Sequence, residues 1–170
     1  LGALRRVSWF DPRMRAGDGW SADIEAFDGL GEIAGRTVGL VGYGDVGRIV
    51  APILAAMGAD VLYTATAPKA DDRARWRTLP ALLAQSDIVS LHLPLTPDTA
   101  NIIDEAAFAR MRPGAVLVNT ARGGLVDEAA LVEALQSGKL RAAGLDVVAT
   151  EPAPAGNPLF DLPNVVVMPH

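Results

Sequence analysis

The sequence predicts an α/β fold: a doubly wound sheet of parallel strands with helices on both faces. Three observations carry this expectation. From Arg36 onward, short apolar runs recur, each followed by a polar or glycine turn and then a helical stretch. The runs are only four to six residues long and apolar throughout, as strands buried on both faces are. A glycine-rich turn stands between the first run and the first helical stretch.

Taken in order, residues 1–30 carry Trp9, Phe10 and Trp20 among Arg5, Arg6, Arg13 and Arg15, with weak periodicity. They read as a short helix followed by an irregular arm, and its aromatics suit packing either on the domain itself or on another subunit. Residues 31–170 form the main domain. Residues 37–41 make the first strand and 46–57 the first helix. A second strand spans 60–64, and a helix at 79–85 leads to a third strand at 88–91. A helix at 104–111 precedes the fourth strand, 115–119, and a helix at 127–137 precedes the fifth, 142–147. Residues 151–163, with four prolines, are a loop, and 165–168 are the sixth strand. Six strands joined by crossovers, right-handed by the general rule, fit the doubly wound topology. No internal repeat or low-complexity segment interrupts the pattern.

Composition narrows the function classes. The chain has 170 residues, half of them hydrophobic and 21% charged, which is a globular balance. A chain of that size buries roughly 70% of the surface it exposes unfolded. With no cysteine, there is no disulfide scaffold, thiolate nucleophile or cysteine metal site, and two histidines, His92 and His170, exclude a multi-histidine zinc site. No metal is therefore expected. A net charge of −5 is the wrong sign for nucleic acid as the main partner. Pro52 and Asp60 break the longest candidate for a membrane span, and no basic, apolar leader opens the chain. A cytoplasmic setting is the expectation. The start at Leu1 and the stop at His170, directly after an apolar strand, read as a domain cut from a longer polypeptide.

The sharpest local signal is Val41-Gly42-Tyr43-Gly44-Asp45-Val46-Gly47, a G-x-G-x-x-G pattern between strand and helix. Gly42 permits the tight turn, Gly44 lets a pyrophosphate approach the backbone, and Gly47 lets the helix press on the sheet. The helix starting near Asp45 points free N–H groups and its positive dipole end at the phosphates. Strand, turn, helix and strand within about 30 residues supply the context that the pattern needs. Dinucleotide binding on a Rossmann-type domain follows. An acid is expected about 20 residues further on, to hold the ribose 2′-hydroxyl. The count through Tyr63-Thr64 reaches Ala65, and Asp60 lies at the wrong end of its strand. Without that acid the main barrier to a 2′-phosphate is missing, and Thr66, Lys69 or Arg73 could contact one. Of the two cofactors, NADP and NAD, the expectation leans to NADP.

Three polar residues follow three consecutive strands: Arg122 the fourth, Glu151 the fifth and His170 the sixth. Ligands of open α/β sheets bind outside the carboxyl ends of the strands, so a cation, a carboxylate and an imidazole reach one edge. That set suits reduction of a 2-oxo acid, in which negative charge grows on the carbonyl oxygen as hydride arrives. Arg122 could bind the substrate carboxylate and polarise the carbonyl through its planar fork. His170 would give the proton, and Glu151 would favour the charged imidazole and fix its tautomer. General acid assistance contributes about 10²–10⁴-fold.

The turn 42–47, the stretch Asn119-Thr120-Ala121-Arg122-Gly123-Gly124-Leu125-Val126-Asp127, the run 144–152 and the closing Pro169-His170 together resemble the D-isomer-specific 2-hydroxyacid dehydrogenase family. The resemblance runs from about Leu30 to the end. It implies that Arg122, Glu151 and His170 are catalytic, and that Asp45 and Val46 meet the pyrophosphate. It implies that Leu93, Pro94 and Thr99 line the adenosine and nicotinamide ribose side. It also implies backbone contacts from Thr120 and Ala121 and a bond from Asp146 to the nicotinamide carboxamide. His92 matches no catalytic position and reads as a strand-end residue near the cofactor. Ala65 departs from the family's ribose-binding acid. Family members also carry a second domain that completes the substrate site, and almost none of it is present. Their usual dimerisation through cofactor domains implies a homodimer here, with the arm around Trp9 and Trp20 at the contact.

The residues thus point to an oxidoreductase moving hydride between NAD(P)H and a small 2-oxo or 2-hydroxy acid, similar to glyoxylate/hydroxypyruvate reductases. Two other readings use the same fold. One is a nucleotide-sensing interaction protein, similar to the corepressors that resemble this family. The other is a formate- or phosphonate-type dehydrogenase.

Overall fold

A computed structural model describes residues 1–18, 30–70 and 73–170. Trp20, expected in the N-terminal arm, lies outside the described residues. The elements are α1 (Val7–Ala16), β1 (Thr37–Val41), α2 (Asp45–Ala56), β2 (Asp60–Thr64), β3 (Arg75–Trp76), α3 (Leu79–Gln85), β4 (Ile88–Leu91), α4 (Glu105–Arg110), β5 (Ala115–Asn119), α5 (Glu128–Gln136), β6 (Leu140–Leu145) and β7 (Val165–Val167). Single 3₁₀ turns occupy Gly123–Leu125 and Pro158–Asp161.

The strands form one sheet in the order β3-β2-β1-β4-β5-β6-β7, and every pairing is parallel. From β1 the chain winds outward to β2 and β3, then crosses back to β4 on the other side. The order therefore reverses beside β1, where an open α/β sheet leaves a crevice at its carboxyl edge.

The sequence anticipates six of the seven strands. The seventh is β3, whose two residues are too short to give a periodic signal. It caps the β2 edge, where Arg75 also pairs with Asp60, the acid at the amino end of β2. The fifth strand begins at Leu140, earlier than expected, because a register shift between Ala115 and Val116 brings Leu140 and Ala142 against neighbouring residues of β5. Asp104 and Asp127 stand just outside their helices as caps, accepting the N–H of Ala107 at 2.8 Å and of Ala130 at 3.1 Å. Each side chain satisfies a donor left over in the first turn.

Both faces of the sheet are covered. On one face Leu82 and Leu83 of α3, Ala107 and Phe108 of α4, and Leu131 and Leu135 of α5 pack on Val89, Leu91 and Leu117. On the other, Ala51 of α2, Ile33 and Leu4 pack on Val38, Leu40, Val61 and Val116. Leu4 thus joins the domain core, and Ser8 of α1 donates to the Pro163 carbonyl at 2.9 Å. Trp9 meets Phe10 edge-on at 4.6 Å, and the guanidiniums of Arg6 and Arg13 lie 4.8 and 4.3 Å from its ring centre. Leu4 and Ser8 therefore anchor the start of the arm on the domain, while Trp9 makes its ring contacts within the arm itself. No described helix is long and apolar enough to cross a membrane, and among the described residues no cluster of acids and histidines could hold a metal.

Candidate functional site

The turn after β1 divides its labour among its glycines. Gly42 has φ +103°, and a Cβ there would come within 2.8 Å of the His92 carbonyl. At Gly47 a Cβ would meet the Gly42 oxygen at 2.6 Å. Gly44 differs: a Cβ would find no protein atom within 4 Å. Gly42 and Gly47 are thus small because the protein presses on them, whereas nothing in the protein crowds Gly44. That open cradle lies at the N-terminus of the 12-residue helix α2, with Asp45 as its first residue. Val46 beside it is 56% exposed. These features fit the phosphates of a dinucleotide.

Beyond the turn, a hollow of about 590 Å³ is lined by Val46, His92, Leu93, Pro94, Thr120, Ala121 and Arg122. It gathers residues from the ends of β1, β4 and β5, at the point where the strand order reverses. His92 Nε2 lies 3.0 Å from Ser90 Oγ, and burial lowers its pKa, so the imidazole favours its neutral form. Thr99 turns its hydroxyl inward on its own loop, donating to the Pro94 carbonyl at 2.7 Å and accepting the Thr96 N–H at 2.8 Å.

A second hollow, of about 660 Å³, holds Asp146, Glu151 and His170. His170 Nδ1 lies 3.0 Å from Glu151 Oε2. The other carboxylate oxygen accepts the Val148 N–H at 3.2 Å. The His170 hydrogen bond chiefly, then the Val148 bond and the charges of His170 and Arg122, lower the Glu151 pKa below the usual carboxylate range. The structure thus joins Glu151 and His170 directly. Arg122 acts on the carboxylate only through its charge; its Nη1 donates to the Ala121 carbonyl at 2.6 Å.

The remaining expected positions cluster at the end of β2. Ala65 and Thr64 are half-buried, whereas Thr66 and Lys69 are exposed. The Trp76 indole donates to the Ala65 carbonyl at 3.2 Å. Tyr63 Oη accepts the Lys69 N–H at 2.6 Å and donates to its carbonyl at 3.2 Å. The Tyr63 ring in turn stacks on Tyr43 of the glycine turn, centres 4.0 Å apart and planes 22° from parallel.

Three supporting residues escape a reading of the sequence. Tyr63 looks like one more apolar strand position until the fold returns Lys69 to it. Asn119 ends β5 only 1% exposed; its Nδ2 donates to the Arg122 carbonyl at 2.9 Å and its Oδ1 accepts the Ala121 N–H at 3.1 Å, shaping the turn that presents Arg122. An asparagine closing a wholly apolar run was the available signal. Glu128 reaches the loop of Glu151 across 21 residues of sequence, a contact only the tertiary fold creates.

All of residues 1–170 match the family model described as D-isomer specific 2-hydroxyacid dehydrogenase, NAD binding domain. The chain is 48% identical over 174 residues to a D-3-phosphoglycerate dehydrogenase of Mycobacterium leprae, covering 100% of this chain and 32% of that protein. It is 43% identical over 176 residues to a glyoxylate/hydroxypyruvate reductase B of Serratia proteamaculans, again covering 100% of this chain and 54% of the relative. The chain therefore spans between a third and about half the length of these relatives. Among solved structures, D-lactate dehydrogenase with NAD+ from Lactobacillus jensenii superposes with TM-score 0.88 at 37% identity, over 99% of this chain and 55% of that one. An acyclic imino acid reductase in complex with NADPH and D-Arg superposes with TM-score 0.89 at 34% identity, over 99% of this chain and 53% of that one.

Proposed function

The chain belongs to the D-isomer-specific 2-hydroxyacid dehydrogenase family as its NAD binding domain, and on that premise we propose that it is the cofactor half of an oxidoreductase acting on a small 2-oxo or 2-hydroxy acid. The observation that carries this reading is the Glu151–His170 pair, 3.0 Å apart at the carboxyl edge of the sheet that also bears the open Gly44 cradle.

Gly44, Asp45, Val46 and Gly47, at the start of α2, would receive the pyrophosphate on backbone N–H groups, while Gly42 shapes the turn, its own N–H donating to the Thr64 carbonyl at 3.2 Å. Leu93, Pro94, Thr99, Thr120 and Ala121 would flank the nucleosides, and Asp146 would bond the carboxamide. When bound, the dinucleotide supplies or accepts the hydride. The protein's own part is charge and proton handling. Arg122 binds the substrate carboxylate and draws charge onto the carbonyl oxygen. His170 holds the proton destined for that oxygen, and Glu151 keeps the imidazole oriented through the 3.0 Å bond to Nδ1. Relatives named glycerate dehydrogenase and glyoxylate/hydroxypyruvate reductase support a 2-hydroxy acid as the substrate class.

Ala65 in place of an acid, with Thr66 and Lys69 exposed beside it, supports NADP over NAD. A homodimer in the cytoplasm, joined through the cofactor domain with the segment around Trp9 at the contact, is the assembly this reading carries. The test is direct: the whole protein is assayed with glyoxylate, hydroxypyruvate, pyruvate and phosphohydroxypyruvate against NADPH and NADH. Oxidation of the cofactor by at least one acid is expected. No oxidation with any of them, despite tight cofactor binding, would overturn the enzymatic reading.

A further inference from the structure

We propose that Glu128 is a positioning residue that sets the geometry of the Glu151–His170 pair, an inference that rests on the catalytic reading of that pair. Glu128 opens α5, one strand crossing away from the site, and its carboxylate is fully engaged. Oε2 accepts the Ala149 N–H at 2.9 Å, and Oε1 accepts the Asn157 side-chain amide at 2.7 Å. These two contacts bracket Glu151 on either side along the chain. One carboxylate therefore ties both ends of the loop that carries the pair.

The tie is close to the reacting groups. Val148 and Ala149 are consecutive, and their N–H groups serve two different carboxylates, Glu151 for the first and Glu128 for the second. A rotation of the peptide that releases Glu128 also disturbs the donor that steadies Glu151. The far anchor is equally committed. Asn157 is 5% exposed, and its Oδ1 accepts the Leu159 N–H at 2.9 Å while its amide faces Glu128.

Only a carboxylate satisfies this pattern. Both partners are donors, so both side-chain oxygens must accept. A glutamine would turn an NH2 toward either Ala149 or Asn157. Asn157 could flip to receive it only by withdrawing Oδ1 from Leu159. Charge-assisted bonds of this kind are stronger than neutral ones, which suits a carboxylate holding an otherwise irregular loop.

Glu128→Gln in the full-length protein tests the role. Cofactor affinity and KM should stay near wild type, while kcat falls by about tenfold or more, since misplacement by a fraction of an ångström is costly when the reacting groups must be aligned. By NMR, the Glu151 carboxyl should titrate nearer the ordinary carboxylate range as its His170 bond loosens. In a His170→Ala background, Glu128→Gln should lower kcat no further, because both changes remove the same alignment. Should Glu128→Gln fail to fold, Glu128→Asp, which keeps the charge but is too short to reach both donors, carries the same measurements. Unchanged kcat and Glu151 titration, or full additivity with His170→Ala, would overturn the proposal. Undiminished turnover in His170→Ala and Glu151→Gln themselves would instead sink the catalytic reading beneath it.

Discussion

His170 Nδ1 and Glu151 Oε2 stand 3.0 Å apart although 19 residues separate them, and Glu151 spends its second oxygen on the Val148 N–H at 3.2 Å. Both side chains remain partly open to solvent. Their pairing therefore matters for which atom holds the proton, and little for holding the fold together. Because the folded-state pKa of Glu151 is lowered, its pairing is present above the unfolded carboxylate value and is lost as pH falls through the lowered one. The Glu151 carboxylate is thus ionised at neutral pH, and its contribution is lost only in acid. His170→Ala should move the Glu151 titration upward, toward the ordinary carboxylate range. An NMR titration of the side-chain carboxyl checks this, and an unmoved midpoint would show that the imidazole bond is not the main cause.

Arg122 sits in the neighbouring hollow, its Nη1 donating to the Ala121 carbonyl. A cation there is placed to meet an anion from outside the chain. Arg122→Ala should lower kcat/KM by about 10²–10³-fold, the scale for losing a group that stabilises developing charge. Cofactor affinity should change little. A pure loss of cofactor affinity, with turnover at saturation intact, would reassign the residue to the pyrophosphate.

The glycine turn predicts two kinds of failure. Gly44→Val finds open space in the protein; as the N-cap of α2 the change should cost no more than about 1 kcal/mol, while cofactor binding is lost. Gly47→Ala drives a methyl against the Gly42 oxygen and should cost about 1–3 kcal/mol of stability, as overpacking does. Thermal unfolding alongside cofactor titration separates the two, and undiminished cofactor binding by Gly44→Val would mean that the pyrophosphate does not approach this glycine.

Much of this was legible in the chain because the informative signals are local. A buried parallel strand needs a continuous apolar run, and 37–41, 60–64, 88–91 and 115–119 were placed to the residue. A helix start after a glycine turn is likewise a short-range pattern, and Asp45 opens α2 as expected near that position. What stayed hidden depends on distant partners. β3 has no pattern of its own and forms because β2 offers an unpaired edge. Asn119, Glu128 and Asn157 are ordinary polar residues in sequence and become supports only once Arg122 and the Glu151 loop are folded against them. Glu151 and His170 were read to one edge because both follow strands that end there, and the bond expected between them is present at 3.0 Å.

In the proposed reading the end of β2 sets the nucleotide preference, and Tyr63 shapes that end. Its hydroxyl closes both backbone groups of Lys69 into one contact, and Trp76 fixes Ala65 at the start of the same segment. The segment carrying Thr66 and Lys69 is therefore tied to β2 by these bonds, which would lower the ordering cost of a 2′-phosphate if the proposed NADP preference holds. Tyr63→Phe keeps the ring stacked on Tyr43 and removes only the hydroxyl. The expected result is a several-fold weaker grip on 2′,5′-ADP with 5′-AMP nearly unaffected, because a loosened loop disturbs the 2′ position more than the adenine; the loss of one such hydrogen bond is worth about 1 kcal/mol. Isothermal titration with the two nucleotides reads the difference. Equal weakening of both would assign Tyr63 to general packing, and a wild-type preference for 5′-AMP would show that Ala65 opens the site without making it a phosphate site.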